Sequence, residues 1–66
     1  MYKVKIDYCG ELDDKIIETE MPKIPLIGEM LGFWHGDTEV ITTVENIVYE
    51  FDEDGKFLLI EINVSE

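Results

Sequence analysis

The clearest pattern opens the chain. Over Tyr2–Tyr8, Tyr2, Val4, Ile6 and Tyr8 alternate with Lys3, Lys5 and Asp7. A period of two marks a strand with one buried face. Cys9 to Asp14 reads as a turn, with Gly10 and Asp13-Asp14 supplying turn chemistry. A second strand is expected over Lys15–Met21, where adjacent Ile16 and Ile17 leave its facing open. Pro22 and Pro25 then break the pattern. Each proline lacks a backbone donor and pushes its predecessor toward extended backbone, so an extended loop is expected to lead into Leu26-Ile27-Gly28-Glu29.

A weaker third strand is expected over 30–35, with Gly36-Asp37 as the next turn. Val40–Phe51 is a long run rich in β-branched residues. Val40, Thr42 and Val44 alternate, but after Asn46 the apolar positions are Ile47, Val48, Tyr49 and Phe51. The change of phase near Glu45-Asn46 points to a β-bulge or a bend. Asp52-Glu53-Asp54-Gly55 signals a tight turn, and Phe57–Val64 forms the last strand. Its alternation places Leu58, Ile60, Ile62 and Val64 on the core face, with Phe57, Leu59, Glu61 and Asn63 outside.

Five short strands joined by tight turns predict an all-β fold: a small five-stranded antiparallel barrel. A helix within 10–15 or 26–35 is the second choice. At 66 residues the chain is expected to form a single small domain over 1–66. Rolling up one sheet lets a single layer make its own core, and 45% hydrophobic residues supply the material. So small a domain is marginal by itself, and a homodimer would help it. The lone cysteine, Cys9, cannot pair within the chain, which fits a reducing, cytoplasmic setting. The chain shows no secretory signal, and no apolar run approaches the ~20 residues needed to span a bilayer.

Charge narrows the classes of partner. Sixteen acids face five lysines and no arginine, for a net charge of −11. The imbalance grows along the chain, from −3 over residues 1–36 to −8 over residues 37–66. Direct contact with nucleic acid or an anionic membrane needs cations and is disfavoured. A basic protein partner or a polyanion-mimicking role is permitted, as is plain solubility.

The stretch 50–61 imitates a calcium loop. Glu50, Asp52, Asp54, Gly55 and Glu61 occupy loop positions 1, 3, 5, 6 and 12 of the EF-hand pattern. Acid-rich chains produce such matches cheaply. Position 1 is Glu in place of Asp, the entering run is β-branched, and five residues after Glu61 are too few for an exiting helix. A hairpin turn is therefore expected, with no metal and no cofactor.

Gly32-Phe33-Trp34-His35-Gly36 places the chain's single Trp and single His between glycines. Phe33, Trp34 and His35 form a candidate recognition surface, set against a packing role for one ring with His35 on the rim. Phe57 and Leu59, facing outward, form a second candidate. They would be covered by the 22–29 loop, a homodimer mate or a partner. Asp52, Glu53 and Asp54 are the candidate acidic surface. A Cys9–His35 nucleophile–base pair has no support in the spacing, and a small buried thiol is the commoner fate of such a cysteine. No carboxylate pair stands out for acid–base work, so an enzyme is not expected.

Met21-Pro22-Lys23-Ile24-Pro25-Leu26-Ile27-Gly28-Glu29, followed by a β-branched run and a terminal strand, resembles small bacterial or phage SH3-like barrel proteins over residues 21–64. The resemblance implies a compact barrel and carries over no catalytic residue or ligand. The expected function is a non-enzymatic protein-interaction module. The alternative is an acidic inhibitor that mimics nucleic acid in a basic groove.

Overall fold

A computed structural model describes residues 1–10 and 15–66. The later part of the expected 9–14 turn, and most of the 10–15 stretch weighed as a helix, lie outside the described residues. Among those residues there are five strands and no helix: β1 (Tyr2–Cys9), β2 (Lys15–Met21), β3 (Met30–His35), β4 (Thr38–Phe51) and β5 (Phe57–Ser65). The 30–35 segment is therefore a strand. The long β-branched run is one strand of 14 residues that begins at Thr38, two positions earlier than its alternation indicates.

The strands form one sheet in the order β2-β1-β5-β4-β3. The antiparallel expectation fails at its centre, because β1 and β5 pair in parallel, with Val4 beside Ile60, Ile6 beside Ile62 and Tyr8 beside Val64. The other three pairings are antiparallel. The cause is one of counting. Strand direction alternates along the chain, so the first and fifth strands point the same way and can meet only in parallel.

One face of this mixed sheet holds the core. Val4, Ile6 and Tyr8 of β1 meet Ile60, Ile62 and Val64 of β5 and Val40 and Val44 of β4. Thr42 is buried among them and donates its hydroxyl to the Leu31 carbonyl at 2.6 Å, so its polar atom is satisfied. The sheet curls around this face. Phe33 of β3 meets Tyr8 of β1 edge to face, and the Lys15 ammonium of β2 sits 5.4 Å from the Phe33 ring centre. Both outermost strands thus converge on one ring, giving a half-barrel that nearly closes at that end.

The 22–29 segment completes the cover. Met21 lies beside Tyr2 at one end of β1, whereas Glu29 and Gly28 bond to Val44, which lies beside Val64 near the other end of β5. The segment climbs the height of the sheet, with Ile24 packed on the core and Pro25 buried. A proline suits this route, because burying it strands no N–H. Of the three covers considered for Phe57 and Leu59, the loop is not the one: it lies over the core instead.

Two irregularities decide what faces where. The register of β4 against β5 shifts between Val44 and Asn46, where the change of phase predicts a bulge. The extra residue keeps Ile47, Tyr49 and Phe51 on the core face after Val40, Thr42 and Val44. A second shift, between Glu50 and Phe51, pairs Phe51 with Phe57 and Glu50 with Leu59 and leaves Leu58 without a partner on β4. Leu58 consequently leaves the core row expected for it and is half exposed.

Candidate functional site

The five candidate binding residues do not form one site. Phe33 is half-buried and serves the core through Tyr8. Its neighbours Trp34 and His35 are exposed. Phe57 and Leu59 belong to the other end of the molecule, as Phe57 pairs with Phe51 at the far end of β4 from Trp34 and Glu39. The bulge separates that pair as well. Phe57 packs edge to face on Phe51, with ring centres 5.6 Å apart. Leu59 is half-buried on the outer face, lining a shallow cleft of about 310 Å³ with Lys3, Lys5, Glu18 and Glu20.

The β3–β4 hairpin presents Trp34 well. Its two-residue loop has Gly36 at φ 63° in the first position, the type II′ pattern that matches strand twist. Trp34 pairs with Glu39, Gly32 with Ile41 and Met30 with Thr43, and paired residues share a face. Gly32 leaves room on that face: a Cβ there would sit 3.2 Å from Ile41 Cδ1. The outward face of the hairpin therefore carries Trp34, Ile41 and Met30, interrupted by Thr43 and by the Glu39 carboxylate beside Gly32, with Trp34 64% exposed. Sequence reasoning singled out Trp34 and missed Ile41 and Met30. Ile41 was legible in the alternation, which puts it opposite to Val40 and Thr42.

Leu26 and Ile27 extend the exposed apolar set at a defined turn. Glu29 N–H donates to the Leu26 carbonyl at 3.0 Å, Leu26 N–H donates to Glu29 Oε1, and Gly28 takes φ 95°. These two side chains are held in water by backbone bonds, and both remain more than half exposed.

The acidic turn is a hairpin end. Gly55 N–H donates to the Asp52 carbonyl at 3.0 Å, Asp52 N–H donates to the Lys56 carbonyl at 2.9 Å, and Gly55 has φ 84°. This is a three-residue loop closed by a glycine bulge. Asp52 Oδ1 accepts the N–H groups of Asp54 and Lys56, both at 2.9 Å, so this carboxylate is engaged in holding the turn. Strands flank it on both sides, which removes the EF-hand reading. Glu61, at loop position 12 of that pattern, lies on β5 with an oxygen 3.9 Å from Lys5 Nζ. Among the described residues no three of His, Cys, Asp and Glu gather closely enough to hold a metal ion. No known family, curated protein or solved structure matches the chain.

Cys9 is exposed rather than buried. It lines a second shallow cleft with Asp7, Glu45, Asn63 and Ser65, where the Ser65 hydroxyl bonds Glu45. His35 is not among those residues; it pairs with Thr38 at the hairpin turn. No helix among the described residues is long and apolar enough to cross a membrane.

Proposed function

We propose that this chain is a non-enzymatic protein-interaction module of the cytoplasm, and that the outward face of the β3–β4 hairpin is its principal contact surface. The observation that carries the reading is Trp34, left in water beside Ile41 and Met30 on a tightly turned hairpin. Tryptophan is enriched at binding hot spots because it buries a large area with little loss of side-chain freedom. A net charge of −11 supports a basic partner, steered by the field of the molecule. The likeness to SH3-like barrels belongs to this proposal. Five strands and a curled sheet support it, with the parallel centre as a departure.

The test is affinity capture from cell lysate with the tagged chain, washed at low and at high salt, alongside Trp34→Ala. A specific protein retained at high salt by the parent and lost by the variant supports the reading. A nucleic-acid-handling protein held only at low salt, and displaced by DNA, would replace it with the acidic-mimic alternative. Capture unaffected by Trp34→Ala would remove the hairpin face from the proposal.

A further inference from the structure

The concave face of β4 behaves differently along its length. Val40, Thr42 and Val44 are 4%, 1% and 1% exposed. Tyr49 and Phe51, on the same face of the same strand, are 56% and 58% exposed. Composition does not explain this, because Tyr49 stands beside the buried Ile60. The difference is the neighbour on the far side. β3 flanks β4 from Thr38 to Thr43, and Glu29 and Gly28 extend that flank to Val44. Beyond the bulge, among the described residues, no strand or loop bonds to the side of Asn46–Phe51 that faces away from β5.

The backbone of this segment is poised to pair. Val44 directs both its N–H and its carbonyl toward the β3 side. Asp52 directs its N–H toward the β5 arm of the hairpin. Alternation back from Asp52 points Glu50, Val48 and Asn46 at β5, and leaves the N–H and carbonyl groups of Ile47, Tyr49 and Phe51 facing the open side. The one-residue bulge at Glu45 reconciles this phase with Val44. An unpaired strand edge bordered by half-exposed aromatic rings is a template for another strand. The molecule is also extended, with a radius of gyration of 12.4 Å against about 10.8 Å for a compact chain of this length.

We infer that the Asn46–Phe51 edge of β4 is a strand-addition site that takes an extended cationic peptide segment alternating apolar and Lys/Arg residues. The alternation follows from the edge itself. On the concave side an added strand meets Ile47, Tyr49 and Phe51, with Phe57 next to them. On the outer side it meets Asn46, Val48 and Glu50, and it ends beside Asp52, Glu53 and Asp54. Apolar side chains fit the first row and cations the second. A second copy fits less well, because each copy carries −11 and nine of its sixteen acids lie in residues 37–66. The inference deepens the reading as an interaction module on a surface separate from Trp34, so the two can fail independently.

The test is a titration of the isotopically labelled chain with a short synthetic peptide of alternating valine and lysine. Two controls are a valine–glutamate peptide and the valine–lysine peptide N-methylated on alternate residues. The expected result is amide shifts centred on Ile47, Tyr49 and Phe51. Affinity should fall at least tenfold for either control, fall several-fold in Tyr49→Ser, and be unchanged in Trp34→Ala. Because the N-methylated peptide leaves the protein untouched, a poorly folded variant cannot blur the outcome. Equal binding of the N-methylated peptide would overturn strand addition, as would shifts spread over all acidic positions. A concentration-independent dimer in sedimentation, with these amides already protected, would give the edge to a second copy and equally overturn the inference.

Discussion

Tyr8 and Phe33 meet edge to face with ring centres 5.1 Å apart, although β5 and β4 lie between their strands in the sheet. That contact draws the β3–β4 hairpin over the core and turns a sheet into a half-barrel. Phe33→Ala should therefore destabilise the fold by about 2–3 kcal/mol, as a half-buried aromatic pair is lost. Trp34→Ala, one residue away on the other face, should change stability by less than about 0.5 kcal/mol. Urea unfolding of the two variants checks the contrast, and equal losses would mean that Phe33 does not close the sheet.

Gly10 borders the same ring. A Cβ at this position would fall 2.6 Å from Tyr8 Cζ and closer still to its hydroxyl. Tyr8 is buried and cannot swing away. Gly10→Ala should cost about 1–3 kcal/mol. Most of that penalty should vanish when it is combined with Tyr8→Leu, which removes the clashing atoms. Additive losses in this double-mutant cycle would place the strain elsewhere.

The Asp52–Lys56 turn is held by one carboxylate and one left-handed glycine. Asp52→Ala and Gly55→Ala should each lower stability by roughly 1 kcal/mol, whereas Asp52→Asn keeps an accepting oxygen and should cost less. Millimolar calcium should leave the unfolding midpoint of the parent unchanged, because a strand hairpin offers no EF-hand cage. A rise of several degrees with calcium would refute that account.

Self-repulsion should be visible in solution. With sixteen acids and five lysines, raising salt from about 0.05 to 0.5 M screens more repulsion than attraction. Thermal stability should rise with sodium chloride at neutral pH. A fall would show that ion pairs such as Lys5–Glu61 outweigh the net charge.

Much of this fold is legible in the chain because one face of each central strand is buried. The alternation at Tyr2–Tyr8 and at Ile60–Val64 names the core directly, and the change of phase at Glu45 reveals the bulge. Strand partnership is not written in alternation. Nothing local in β1 says that its neighbour is β5, so the parallel pair escaped. Leu58 escaped for a related reason: its bulge depends on how β5 registers against β4, which is a relation between strands. Among the candidate residues, Trp34 was identified by type. The open edge beside Tyr49 could not be, since an absent neighbour leaves no trace in the residues that lack it.

The parallel pair at the middle of the sheet also governs when the fold can exist. It joins the first strand to the fifth, the widest separation the strand order offers. Hairpins β1–β2 and β3–β4 can form from local sequence, but neither buries Ile6 or Tyr8 without β5. Folding must therefore wait on one distant encounter, which predicts a slow, all-or-none transition for so short a chain. On the ribosome the first four strands would remain an open, unjoined ribbon until the fifth emerges.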